Sequence, residues 1–366
     1  MLILNNSICA IDAINPRKNN FNFLRLLFAS LVLLSHSFEI LDGNKSRELL
    51  TNIFGTITFG GFAVDGFFLL SGYLIVKSWD LEPNARSFLL KRILRIYPGF
   101  IVAALISAFV VGPLGAELVS YFSQLDLTKF AIVTLMLGPP RVPPVFAGQH
   151  YPSVNGSMWT ISFEFICYIA VLLLGVIGLV KWRKGWLLIT AIFFVIMICH
   201  QMGFEFTLFG RIFNFKNQFW RLGLFFFSGG TYYLFRDKII FSSWMVWVLG
   251  GILLLSMFQS ALTEIALAAI GGYLLFYFAF LPVSLLRSFQ TLPDVSYGLY
   301  LYGWPIQMLL IWYFPNLPAF SVFLFSLLAG ILAGFLSWNL VEKPFLKFKP
   351  KGQKLAKANV VVAAPI

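Results

Sequence analysis

The stretch Phe21–Ile40, "FNFLRLLFASLVLLSHSFEI", sets an arginine and a histidine among residues that are otherwise mostly apolar. Ionisable side chains are costly inside a membrane-buried helix and usually face a bundle interior or a water-filled cavity. Arg25 and His36 lie eleven positions apart, so a helix would return His36 to within roughly 20° of the same face, about 16 Å further along. Imidazole can accept a proton near neutral pH, and a guanidinium suits phosphate or carboxylate. The competing reading is structural: Arg25 snorkels to the interface and His36 is hydrogen-bonded in the bundle.

Other polar groups fall at equally unusual places. Asp65 sits in "GGFAVDGFFLLSGYLI" with Gly61 and Gly72 on one side of a helix. Small residues there suit close helix packing, while a buried carboxylate needs a partner and could orient a histidine or pair with an arginine. Lys91, Arg92 and Arg95 stand in "SFLLKRILRIYPGF". Arg92 and Arg95, at i and i+3, share a face, which offers two guanidinium groups to one phosphorylated ligand; simple charge anchoring of a membrane helix is the alternative. In "NGSMWTISFEFICY", Ser157, Thr160 and Glu164 form one polar stripe. Glu164 is expected in the same outer half as His36, where it could hold the imidazole or a sugar hydroxyl; packing of the stripe against a neighbouring helix competes. Asn155, Ser157 and Trp159, at the irregular entry to that segment, are candidates for binding an acceptor. Ser157 and Trp159 could also donate to a developing oxyanion.

The elements that position these residues follow from composition. Of 366 residues, 59% are hydrophobic and only 11% charged, with 42 Phe and 10 Trp, more apolar surface than a soluble domain of this length can bury. The chain reads as an all-α integral membrane protein, a bundle of about ten transmembrane helices near 21–41, 58–78, 93–112, 158–180, 186–202, 219–235, 243–258, 262–281, 297–313 and 320–341. Residues 129–138 are too short to span, and "GPPRVPPVFAGQHYPSVNGS" (138–157) predicts irregular structure. Residues 1–20 form a cytoplasmic segment, 21–345 the membrane domain and 346–366 a basic cytoplasmic tail.

With both termini in the cytoplasm, 20 of the 27 lysines and arginines face inward; Lys45, Arg47, Lys129, Arg141, Arg211, Lys216 and Arg221 face outward. The net charge of +12 is accordingly assigned to membrane orientation and not to nucleic acid. Arg17 and Lys18 precede the first long apolar run, which marks a retained span and not a cleaved leader. Cys9, Cys167 and Cys199 and the three histidines are scattered, so neither a disulfide framework nor a bound metal is expected.

Arg25 with ten residues before His36, "GFFLLSGYLI" (66–75), "KRILRIYP" (91–98), "NGSMWTISFEFICY" (155–168), "SYGLYLYGWP" (296–305) and "EKPF" (342–345) occur in this order over most of the chain. The ordered set resembles the integral-membrane acyltransferase 3 family, whose members place acetyl or other acyl groups on surface polysaccharides, lipopolysaccharide and related glycans. The resemblance implies that His36 is catalytic and Arg25 its motif partner, that Arg92 and Arg95 meet the phosphates of coenzyme A, and that Glu164 is the acidic position of the Trp-Thr-x-x-x-Glu stretch. Two positions depart from the family pattern: Gly303 stands where many members carry a histidine, and Phe165 where many carry a second acidic residue.

The expected function is therefore an acetyl-CoA-dependent O-acetyltransferase of a bacterial inner membrane, acting on an exopolysaccharide, an O-antigen or a lipid-linked saccharide. His36, Arg25, Glu164 and Asp65 form the catalytic group, Lys91, Arg92 and Arg95 the donor site, and Asn155, Ser157 and Trp159 the acceptor site. His36 either deprotonates a sugar hydroxyl or takes the acetyl group itself. The expected partners are the glycan acceptor and membrane lipids, with no nucleic acid. Two other classes compete: a glycan-lipid transporter or flippase, since buried charge also marks permeation paths, and a non-catalytic scaffold of a polysaccharide assembly complex, to which Gly303 lends weight.

Overall fold

The computed structural model describes residues 9–10, 19–204, 218–290 and 292–350. Arg17, Lys18, Arg211, Lys216 and positions 351–366, which entered the charge count and the expected terminal segments, lie outside them, as does the side chain of Arg287. The described chain forms helices α1 (Phe21–Asp42), α2 (Phe59–Leu81), α3 (Ala85–Leu114), α4 (Trp159–Val176), α5 (Arg183–Gln201), α6 (Gln218–Leu234), α7 (Ser243–Ser256), α8 (Ser260–Phe280), α9 (Ser296–Tyr313) and α10 (Ala319–Leu346). Each coincides with one of the expected apolar stretches.

Among the described residues, seven of these helices are long and apolar enough to cross a membrane; α6, α7 and α9 fall short of that measure. Helices satisfy their own backbone polar groups, which lipid cannot do for them. Their outward faces are apolar: Leu173, Leu188, Val195, Leu255, Leu328 and Leu332 are all exposed. The protein is an all-α, multi-pass membrane bundle, apart from a two-residue ladder joining Cys9–Ala10 to Ile240–Phe241. The piece expected to be too short to span is the helix Leu127–Leu135, of nine residues, and residues 138–157 are without helix.

Polar contacts between helix ends set α1, α3 and α9 opposite in direction to α2, α6, α8 and α10. At one end Asn20 donates to the carbonyls of Phe278 and Leu281, Arg25 meets Asp294, and Arg95 meets Glu342. At the other, Asp65, Arg221 and Glu264 join the starts of α2, α6 and α8. The first is called the basic end and the second the histidine end below. Capping side chains fix two of the starts: Thr58 Oγ1 accepts from the Gly61 N–H at 2.9 Å and Asn84 Oδ1 from the Ser87 N–H at 2.9 Å.

Helices α2 and α6 pack backbone to backbone. A Cβ on Gly72 would lie 1.9 Å from the carbonyl oxygen of Phe226, and one on Gly229 2.0 Å from that of Leu69; the helix-packing reading of Gly72 thus has its geometric reason. Gly72→Ala should destabilise the purified protein by about 1–3 kcal/mol through overpacking, read as a lower thermal midpoint. An unchanged midpoint would show that the two helices can separate freely.

Pro98 and Pro305 lie inside α3 and α9. Because Pro305 has no N–H, the Leu301 carbonyl one turn earlier loses its helical partner. Asn155 Nδ2 donates to that carbonyl at 2.9 Å, and Ser157 Oγ donates to the neighbouring Tyr300 carbonyl at 3.0 Å. Gly156 between them leaves room for Trp304, whose ring would come within 2.5 Å of a Cβ there. On the other side of α9, the buried Gln307 donates to Leu33 O at 2.8 Å and to Ser37 Oγ at 2.7 Å, fastening the α1 turn that carries His36.

Candidate active site

The basic end opens into a cavity of about 370 Å³ between α1, α2, α3, α4, α9 and the end of α10. Five basic side chains line it, Arg25, Lys91, Arg92, Arg95 and Lys349, against two carboxylates, Glu164 and Asp294. The excess of positive charge makes it a receptor for anions.

The cations are not equivalent. Arg95 is held by two carboxylates, Nη2 to Asp294 Oδ2 at 2.5 Å and Nη1 to Glu342 Oε2 at 3.2 Å, and Asp294 also accepts from Arg25 at 3.3 Å and from Ser296 Oγ. Burial works to raise the Asp294 carboxyl, but Arg95 and Arg25 outweigh it and hold it at about 2. Lys91 pairs with Glu82. Arg92, in contrast, makes one long hydrogen bond, to Ser78 Oγ at 3.3 Å, lies over the rings of Phe88 and Tyr168, and has a buried Nε without a partner. Lys349 has no ion pair among the described residues, and burial, followed by Arg95, Arg92 and Lys91, pushes its ammonium down to about 8. Arg92 and Lys349 are therefore the cations free to meet a ligand.

The histidine end holds a second cavity, about 510 Å³, lined by His36, Glu39, Lys45, His150, Trp159 and Trp304 among others. The His36 ring packs edge-on against Trp304 at 4.8 Å and makes no hydrogen bond among the described residues, so its nitrogens remain available to a ligand. Glu39, one turn beyond it, pairs with Lys45 at 3.0 Å. The two cavities have Val64 and Tyr300 in common.

This geometry sorts the residues singled out in the sequence. Arg25 and the trio Lys91, Arg92 and Arg95 do gather in one cavity, but Arg92 and Arg95 do not offer a shared fork, because Arg95 is neutralised by Asp294 and Glu342. Glu164 is not in the histidine's half: it lines the basic cavity, accepting from Ser71 Oγ at 2.9 Å and Tyr168 OH at 2.6 Å. Thr160, four positions before Glu164, lines the same basic cavity, so the stripe faces the arginines and not His36. Asp65 does not orient His36; it is buried against Arg221 at 2.8 Å. Asn155 and Ser157 line neither cavity, because both are buried on the α9 backbone next to Pro305. Trp159 does line the histidine cavity.

Gly303 faces neither site: a Cβ there would meet Leu33 Cδ1 at 2.6 Å. Phe165 packs on Tyr97. The sequence reading missed Asp294, Glu342, Lys349, Glu39 and Tyr300. Glu39 was legible as the residue one turn beyond His36, and Glu342 as the acid of "EKPF"; Asp294 and Lys349 carry no local signal and come into place only through the fold.

Comparison with known proteins follows the same outline. Residues 18–339 match the protein family described as Acyltransferase domain. The chain is 27% identical to an O-acetyl transferase of Shigella phage Sf6, over 90% of this chain and 96% of the relative. It is also 27% identical to Nodulation protein 10 of Rhizobium leguminosarum bv. viciae, over 91% and 94%. Over 39% of its length it is 29% identical to Acyltransferase MdmB of Streptomyces mycarofaciens. No solved structure matches it.

Proposed function

The chain belongs to the acyltransferase family that its residues 18–339 match, and from that premise we propose that it is a membrane O-acyltransferase using acyl-CoA, in the first place acetyl-CoA, to acylate a hydroxyl of an extracytoplasmic glycan. The observation that carries the reading is the pairing of an anion-receptive cavity at one end of the bundle with a histidine cavity at the other, the two meeting at one layer of side chains. The coenzyme phosphates sit by Arg92 and Lys349, with Arg25, Lys91 and the Arg95 network holding the cavity's shape and charge. His36 accepts the proton of the acceptor hydroxyl as its oxygen attacks the thioester carbonyl. The C–S bond breaks, a C–O ester bond forms, and the proton leaves with the thiol.

The ten-helix arrangement supports a ten-span topology with both termini cytoplasmic, which puts the basic end on the side where coenzyme A is made. Bacterial and phage relatives support an inner-membrane location and a glycan acceptor such as exopolysaccharide, O-antigen or a lipid-linked saccharide. The test is an NMR spectrum of surface glycans from a deletion strain and from the same strain complemented with the wild-type gene. An O-acyl signal that disappears on deletion and returns on complementation is expected; an unchanged acyl content would remove this reading.

The donor site also predicts a pH dependence. Because burial and the neighbouring cations push the Lys349 ammonium down to about 8, and a phosphate binds the charged form, the donor KM should rise as pH increases from about 7 to 9. Lys349→Arg should flatten that rise, and Lys349→Met should leave KM high throughout. A wild-type KM that stays flat over this range would show that Lys349 does not touch the donor.

A further inference from the structure

Resting on the acyltransferase reading, the geometry points to a function for Tyr300 that no motif assigns: its ring is the septum between the donor and acceptor cavities, and Thr160 is its latch. Tyr300 and Val64 line both cavities, whereas His36 lines only one and Arg92 only the other. The route from phosphate site to imidazole is thus interrupted by one layer of side chains. The Tyr300 hydroxyl lies 2.6 Å from Oγ1 of Thr160, a residue that lines the basic cavity, and the ring packs edge-on against Phe67 at 6.1 Å.

The backbone beneath this ring is fastened where a proline-bearing helix would otherwise be loose. Ser157 holds the Tyr300 carbonyl and Asn155 the Leu301 carbonyl left free by Pro305. The fixed and movable parts are therefore separate. The helix stays in place, and the ring can turn aside for the loss of one side-chain hydrogen bond. An acyl thioester entering from the basic end meets this ring before it can meet His36. In the resting protein the same ring keeps acceptor-side water away from the thioester carbon, where water would break the C–S bond to give the free acid and the thiol.

Two measurements on the full-length protein, with Cys9, Cys167 and Cys199 replaced by Ser, test the septum. Ser71 lines only the basic cavity. In Ser71→Cys, in sealed vesicles of known orientation, a membrane-impermeant maleimide should label from the basic face alone, and adding Tyr300→Ala should open labelling from both faces. Labelling from both faces with Tyr300 in place, or from one face after its removal, overturns the septum. Should Tyr300→Ala fail to insert, Val64→Cys with Tyr300 intact replaces it: labelling from both faces is expected, and labelling from one overturns the proposal.

The second measurement follows release of coenzyme A thiol from acetyl-CoA without acceptor, as hydrolysis, and formation of the acylated glycan with acceptor present, as transfer. Tyr300→Ala should raise the ratio of hydrolysis to transfer about tenfold or more, and Thr160→Val should raise it by less, because water exclusion is relaxed more by losing the ring than by losing its latch. Labelling that opens without any acetyl-CoA turnover overturns the acyltransferase reading and leaves the septum; turnover with labelling confined to one face does the reverse.

Discussion

His36→Ala is expected to lower acyl transfer by about a thousandfold or more, in the range lost when a positioned acid–base group is removed, while protein abundance and thermal midpoint stay near wild type. The second half of the expectation comes from packing. The His36 ring lines a cavity, touches Trp304 edge-on and holds no buried hydrogen bond among the described residues, so truncation enlarges an existing opening and forfeits about 1 kcal/mol of aromatic contact. The α1 turn itself is held from outside by Gln307 through Leu33 O and Ser37 Oγ. His36→Gln keeps the size and a hydrogen-bonding group but not the basicity, and should be as inactive as alanine. Transfer retained in both variants, at equal abundance, would dismiss the imidazole from the chemistry.

The two arginines of "KRILRIYP" should separate into different phenotypes. Arg95→Met leaves the carboxylates of Asp294 and Glu342 buried without their main partner, a loss of about 3–5 kcal/mol, and should appear as failed accumulation or a sharply lower thermal midpoint. Replacing Glu342 by Gln in the same chain should recover part of it, because one of the two stranded charges is gone. Arg92→Met breaks no ion pair among the described residues, and Glu164 nearby keeps its hydrogen bonds from Ser71 and Tyr168. The variant should fold normally and raise the donor KM by about ten- to a hundredfold, the worth of one charge-assisted hydrogen bond or two. A donor KM unchanged in a folded Arg92→Met protein would move the phosphate site elsewhere; a stable Arg95→Met protein would show that the carboxylates find other partners.

Much of the architecture was legible because lipid imposes simple requirements. A span needs about twenty apolar residues with an internally satisfied backbone, and each of the ten apolar stretches falls in a helix, although Ala85–Leu114 begins eight residues before the expected 93 and Ala319–Leu346 ends five after the expected 341. The resemblance to acyltransferases rested on ordered motifs, and the family match over residues 18–339 supports it. Helical rise also set Arg25 and His36 apart along α1, and the two line different cavities.

What composition and spacing determined by themselves was the membrane class, the helix positions and which residue types are out of place in lipid. Which of those residues meet was decided only by the tertiary structure. Glu164 joins the arginines and not the histidine, Asp65 is taken by Arg221, and Asn155 and Ser157 hold the backbone that Pro305 leaves open. A buried charge is satisfied by whichever opposite charge the packing brings near, and those partners lie 156, 199 and 247 residues away in the pairs Asp65–Arg221, Arg95–Asp294 and Arg95–Glu342. Periodicity sets the face of one helix and carries no information about its neighbour. For that reason the division into two cavities, and the tyrosine between them, exists only in the folded bundle.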